Sequence, residues 1–227
     1  MKQIGKQFGN QQAGFTLVEI AIVLVIIGLL LGGILKGQEM ITQAKIKNVI
    51  NDFNGLSAAL YSYQDRYRAL PGDDLNAAGR WAGAVSGDGN GQYNGTYNTV
   101  LAAAPTNAQE NNLFWWHLRL AGFVPGPTAA GAAAGQQANN AVGGIVGVAT
   151  GTAATPALGF LTNIMCTSNL PDKIAIAVDT QMDDGTNATG QIRGLLQAGP
   201  NDNVRALAAG DAYVENGTNQ YLLCKQL

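Results

Sequence analysis

One apolar run near the N-terminus constrains this chain more than any other feature. It extends from Phe15 to Leu35 and contains a single ionisable residue, Glu19, five positions into the run. As an α-helix, such a run is about 30 Å long, which is enough to cross the hydrocarbon core of a bilayer. The polar residues 1–14 precede it and carry two lysines and no acid. The run therefore predicts a membrane-spanning helix.

Two ordinary explanations of the run leave something unexplained. A secretory signal peptide has a shorter apolar core followed by a cleavage site of small residues, whereas this run continues directly into Lys36 without such a site. A simple membrane anchor fits the length but not Glu19. A charged side chain costs about 2.5–3.5 kcal/mol at the centre of the bilayer, less near an interface, so it normally has a partner.

A third explanation supplies that partner. The processing site of type IV prepilins resembles residues 14–19 of this chain, which read Gly-Phe-Thr-Leu-Val-Glu. The resemblance implies that prepilin peptidase cuts after Gly14 and methylates the new N-terminal amine of Phe15. It also implies that Glu19 pairs with the N-terminal ammonium of a neighbouring subunit. A carboxylate and an ammonium buried together attract each other, whereas either one alone is penalised, so Glu19 would favour one axial offset between helices.

The helical pattern continues beyond the apolar run. From Ile41 to Tyr67 apolar residues recur at helical spacing, and the pattern ends at Pro71 and Gly72. The predicted fold class is α+β, with one long helix packed on a small antiparallel sheet, as in pilins. The predicted organisation is a leader (1–14), a long helix (15–70, of which 15–35 lies in the membrane or filament core) and a globular head (71–227).

The head is rich in Gly, Ala, Asn and Thr, with short apolar runs between turn signals. Residues 109–121 predict a short helix that ends at Gly122. Residues 129–156 are of low complexity and predict a loop with one strand. The predicted strands are Ile145–Val148, Ile174–Val178, Gln191–Leu196 and Tyr221–Cys224.

The cysteines and the charge limit what the head can be. Cys166 and Cys224 are widely spaced, and in an exported chain they predict one disulfide, with two free thiols in a cytosolic protein as the alternative. The net charge of −2, without a Lys/Arg cluster after the first helix, argues against nucleic acid as a partner.

Two loops rich in Asp, Asn and Gly are candidate calcium sites. Residues 86–92 place Asp88 and Asn90 on alternate positions, as at the start of a calcium loop, but the downstream glutamate is missing. Asp183 and Asp184 lie in a second oxygen-rich turn, near Asp179 and Asn187. Since Asp, Asn and Gly also form ordinary turns, both explanations remain open. No cofactor other than calcium is predicted.

Nothing in the sequence predicts an enzyme. The single histidine, His117, lies beside Trp115 and Trp116 in the predicted short helix, and we expect it to be structural. The two tryptophans are expected in the core, with an interface contact as the alternative. No serine-hydrolase elbow, zinc-protease motif or phosphate-binding loop is present.

The sequence therefore predicts a structural subunit of a type IV pilus-like filament. Its expected partners are other pilin subunits, prepilin peptidase and the lipid of the bacterial inner membrane. It would be a single-pass membrane protein before assembly, and part of an extracellular pilus or a periplasmic pseudopilus afterwards. The alternative is a minor pilin or a type II secretion pseudopilin that acts as an anchored binding protein in adhesion, DNA uptake or secretion.

Overall fold

The computed structural model of the protein describes residues 16–153 and 157–227. The chain divides after Thr42 into two compact units, of which the second, Gln43–Leu227, is called the head unit below. Gly14 and Phe15, the predicted processing residues, lie outside the described residues.

Helix α1 runs from Leu17 to Tyr67, which confirms the long N-terminal helix. Its first half is apolar on every side, whereas in its second half the buried residues recur at helical spacing, as in Val49, Phe53 and Leu60. The helix ends where Arg68 adopts a left-handed conformation (φ 53°). The Arg68 N–H still donates to the carbonyl oxygen of Gln64, so it closes the last turn.

Five antiparallel strands form the sheet of the described residues, in the order β1-β2-β3-β5-β4. Strands β2 and β5 extend the predicted strands at 145–148 and 221–224, and β4 matches the predicted 191–196. The bounds are β1 Ala138–Asn139, β2 Ile145–Thr150, β3 Asn163–Pro171, β4 Ile192–Leu196 and β5 Gln220–Gln226.

In the described part of the chain, three shorter α-helices accompany the sheet: α2 Ala77–Arg80, α3 Glu110–Leu120 and α4 Asp172–Met182. Helix α3 confirms the helix predicted at 109–121. Helix α4 shows that the predicted strand Ile174–Val178 is wrong. Its buried residues, Ile174, Ala175 and Val178, share one helical face, and an alternating run of Ile, Ala and Val fits that face as well as it fits a strand.

The core lies on both faces of the sheet. On one face the second half of α1 packs with α3, α4 and inward-facing sheet residues such as Val148 and Met165. On the opposite face Tyr97, Phe160 and Leu195 pack around the two cysteines. Because successive residues of a strand point to opposite faces, Met165 and Cys166 belong to different clusters.

Candidate assembly helix and carboxylate clusters

The first half of α1 exposes a continuous apolar surface. Leu17 is 87% exposed and Leu29 74%, and no residue described before Ile46 is buried. The helix meets the length and composition of a membrane span. A monomeric soluble protein rarely exposes an apolar patch of this extent, so this surface requires lipid or other protein as its partner.

Glu19 caps the start of this helix. Its carboxylate accepts hydrogen bonds from the Thr16 N–H and from the Thr16 hydroxyl, each at 2.8 Å, and the Glu19 N–H donates back to that hydroxyl oxygen at 3.3 Å. This reciprocal arrangement is a capping box. Both residues are exposed, so the carboxylate remains accessible to a cation from outside the chain.

Three carboxylates that are far apart in sequence meet where the loop at 86–94 crosses the start of α3. Oxygens of Asp73, Asp88 and Glu110 all lie within 4.8 Å of one another. Asp73 and Glu110 are 5% and 0% exposed, whereas Asp88 faces solvent. We call these three residues the first carboxylate cluster. The sequence indicated only Asp88, because the other two become neighbours through the fold.

Backbone N–H groups hold the two buried carboxylates of the cluster. Asp73 accepts the N–H groups of Gly89 (2.5 Å), Asn90 (3.1 Å) and Gly91 (2.7 Å). Glu110 accepts those of Asp88 (2.7 Å) and Asn94 (3.1 Å). Burial nevertheless raises the pKa of both carboxyl groups, and the neighbouring charge of Asp88 raises it further.

The loop must lie very close to the chain around Asp73 to make these bonds. Gly87 faces the backbone of Gly72 and Asp73, where a Cβ atom would overlap the Asp73 Cα and the Gly72 carbonyl oxygen. Gly72 in turn has a φ of 95°, and a Cβ there would lie 2.5 Å from the Glu110 carbonyl oxygen. These two glycines therefore allow the acidic residues to converge.

Tyr93 completes the surroundings of this cluster. Its ring packs edge-on against Phe114, which lies one helical turn after Glu110 on the same face of α3 (centroid distance 5.7 Å). Tyr93 is 3% exposed, and its hydroxyl has no hydrogen-bond partner among the described residues. Burial raises the pKa of this hydroxyl, and so do the charges of Asp73 and Glu110, since both lie nearby.

Asn90 lies beside this cluster. Its amide nitrogen donates to an Asp88 carboxylate oxygen at 2.9 Å, and its side-chain oxygen accepts the Gln92 N–H at 2.7 Å. Asn90 thus stabilises the loop conformation through its own hydrogen bonds. Its role as a calcium ligand stays a prediction.

Asp179, Asp183 and Asp184 form a second carboxylate cluster, whose oxygens also lie within 4.8 Å of one another. Asp179 accepts the Tyr213 hydroxyl at 2.6 Å, and Asp184 accepts the Thr189 hydroxyl at 2.5 Å. Burial raises the pKa of Asp179 to about 6, with the charges of its two neighbours adding to the shift. Calcium at Asp183 and Asp184 likewise stays a prediction.

His117 is fully buried, and both of its ring nitrogens are engaged. The Gly72 N–H donates to Nδ1 at 2.9 Å, so Nε2 carries the proton and donates to the Val85 carbonyl oxygen at 2.8 Å. Burial lowers the pKa of the imidazole, which favours this neutral form. Neither nitrogen is free for proton transfer or metal binding, which agrees with the structural role predicted for His117.

A buried polar network joins α1 to the chain that follows it. The Tyr63 hydroxyl donates to an Asp74 carboxylate oxygen at 2.7 Å, and both residues are fully buried. Asp74 also pairs with Arg80 through both of its oxygens. This network could not be predicted from the sequence, because its three members belong to three different segments.

The cysteines and tryptophans occupy the places predicted for them. Cys166 on β3 and Cys224 on β5 are partners in register and form a disulfide. Trp115 and Trp116 are 2% and 1% exposed, so both lie in the core, on different faces of α3.

Comparison with protein families identifies a known motif in the N-terminal segment. Residues 9–35 match the prokaryotic N-terminal methylation motif, the signature of type IV prepilins. No curated protein and no solved structure is detectably similar to the chain. The motif supports a precursor of the pilin or pseudopilin kind, and the architecture of the described residues is pilin-like.

Proposed function

We propose that this chain is a structural subunit of a type IV pilus-like filament, made as a precursor and cleaved after Gly14. The proposal rests on two features that coincide on helix α1. The methylation motif at 9–35 coincides with the half of α1 that is apolar on every side and exposed. The second half of the same helix is packed into the head unit.

The exposed apolar half must stay out of water both before and after assembly. Covering one Leu, Ile or Val side chain contributes about 1.5–3 kcal/mol relative to leaving it in water. In the precursor, lipid covers these side chains. In the filament, the same helices of neighbouring copies replace lipid, and head-to-tail contacts between copies extend as an open helical fibre.

Glu19 then determines the register between copies. Among the described residues, Thr16 alone holds its carboxylate, through two neutral donors. The ammonium of a processed, methylated Phe15 on a neighbouring copy retains its positive charge and pairs with this carboxylate. In the low-dielectric filament core one axial offset satisfies both charges, and offsets that leave either of them unpaired are penalised.

The variant Glu19→Gln tests this role in the native host. Breaking a buried ion pair costs about 3–5 kcal/mol, so we expect the amount of subunit in sheared filaments to fall at least about tenfold. Membrane insertion and removal of the leader should continue, and both are read from the size of the membrane-bound chain.

Glu39→Gln is the matched control. Glu39 lies on the same helix beyond the apolar run and pairs with Lys36 at 2.8 Å on an exposed surface. Exposed pairs of this kind contribute about 0–1 kcal/mol, so filament yield should stay close to that of the wild type. Wild-type yield from Glu19→Gln would refute the assembly role. The stoichiometry of wild-type subunit in sheared filaments distinguishes an abundant subunit from a minor one.

A further inference from the structure

We propose that the first carboxylate cluster, Asp73, Asp88 and Glu110, binds a calcium ion. This site does not depend on the filament role. It joins three segments of the head unit, namely the turn after α1, the loop at 86–94 and the first turn of α3.

The geometry of the oxygens fits a single ion. Calcium is bound by oxygens at about 2.3–2.6 Å, so two ligands on opposite sides of it are about 5 Å apart. The oxygens of the cluster lie within 4.8 Å of one another. An ionised carboxylate has about four lone-pair sites, and the hydrogen bonds to each of the three leave at least one site available.

Charge compensation is missing within the described chain. None of the described basic side chains forms an ion pair with Asp73, Asp88 or Glu110. The adjacent Asp74, by contrast, pairs with Arg80. Three like charges in contact, two of them buried, repel one another. A bound divalent cation removes this repulsion.

The Tyr93 hydroxyl is the second, independent indication of a ligand. A buried hydroxyl without a hydrogen-bond partner costs about 1–3 kcal/mol, and structures rarely retain one without a reason. The Tyr93 ring contacts Phe114, one helical turn after Glu110, and the hydroxyl is close enough to Asp73 and Glu110 to interact with the charges of both. A water molecule on the ion gives this hydroxyl a partner, and it also supplies one of the ligands that three carboxylates leave unfilled.

The donor set selects calcium among common ions. All the ligands are carboxylate oxygens, without histidine or cysteine, which favours hard cations over zinc. Calcium accepts irregular arrangements of six to eight oxygens, whereas magnesium requires a near-ideal octahedron at about 2.0–2.1 Å. The exposed carboxylate of Asp88 gives the ion a path from solvent.

The test uses the full-length protein in detergent, stripped of metal with EDTA. Its melting temperature is followed by tryptophan fluorescence in EDTA, in calcium chloride and in magnesium chloride. We expect calcium to raise the melting temperature as its concentration passes about 10⁻⁴–10⁻³ M, the range of extracellular calcium modules, and magnesium to have a much smaller effect. Terbium luminescence excited through the aromatic side chains reports direct occupancy, and calcium should displace it.

Two single substitutions locate the ion. Asp88→Asn removes one negative charge from the ligand set, so calcium affinity should fall at least about tenfold. The melting temperature in EDTA should stay equal or rise, because one repelling charge is gone. Asp184→Asn, the matched change at the exposed aspartate of the second carboxylate cluster, should leave the calcium response unchanged. Tyr93→Phe should reduce the calcium-dependent gain without lowering the melting temperature in EDTA.

Three results would overturn the proposal. The first is a melting temperature that does not respond to calcium, together with no displaceable terbium signal. The second is a calcium response lost in Asp184→Asn and retained in Asp88→Asn, which would assign the ion to the second cluster. The third is an equal response to magnesium and calcium, which would indicate general screening of charge.

Discussion

Replacing Tyr63 with phenylalanine isolates one hydrogen bond between the long helix and the rest of the head unit. The Tyr63 hydroxyl donates to Asp74 at 2.7 Å, and both residues are fully buried. A hydrogen bond to a charged group contributes about 1.5–3 kcal/mol, and Phe keeps the ring packing, so we expect Tyr63→Phe to lower the free energy of unfolding by about 2 kcal/mol. For a domain of this size that loss corresponds to a decrease in melting temperature of about 4–8 °C.

Tyr61→Phe is the control for this substitution. Tyr61 lies two residues earlier on the same helix and is 56% exposed, so the same loss of a hydroxyl there should change the melting temperature by less than about 1 °C. The assay is thermal unfolding in detergent followed by the fluorescence of the buried tryptophans. Equal effects of the two variants would show that the bond between Tyr63 and Asp74 does not hold α1 in the head unit, and the reasoning would fail.

Two further predictions concern the sheet and the second carboxylate cluster. The disulfide between Cys166 and Cys224 closes a loop of 58 residues, so reducing it should lower the free energy of unfolding of the head by about 4 kcal/mol. Thermal unfolding with and without reductant measures this loss, and an unchanged melting temperature would contradict the prediction. The pKa of Asp179 is raised to about 6 in the folded protein, above its ordinary value of 3.8. The folded state therefore binds this proton more tightly than the unfolded state does. As a result, the contribution of Asp179 to the free energy of unfolding falls as pH rises from about 4 to 6. Asp179→Asn should remove this part of the pH dependence, and a wild-type stability profile from the variant would refute the assignment.

The parts of the fold that sequence predicted well are those with one strong local signal. The apolar run and its amphipathic continuation predicted α1, because a period of 3.6 residues was sustained over many turns. The helix at 110–120 and strand β4 also followed from their patterns. The signature at 14–19 identified the motif, because few other chains combine a glycine, an aromatic residue and a glutamate at the start of such a run.

The parts that sequence did not predict depend on contacts between distant segments. Strand β3, between β2 and β5, contains Ser168, Asn169 and Pro171, which are typical of turns, and its pairing shifts between Thr167 and Leu170. The carboxylate cluster could not be foreseen for a related reason. In the sequence, Asp73 directly follows the Pro71 and Gly72 that end the predicted long helix, and Glu110 lies in the first turn of the predicted short helix. Only the folded loop at 86–94 brings both beside Asp88.

The mass of the mature chain tests the central claim most directly. The protein would be isolated from its native membrane or from sheared filaments, and its intact mass and N-terminal peptide would be measured. We predict a chain that begins at Phe15 and carries one added methyl group on its N-terminal amine. A chain that begins at Met1, or one that begins beyond Leu35, would contradict prepilin processing. It would also contradict the role proposed for Glu19.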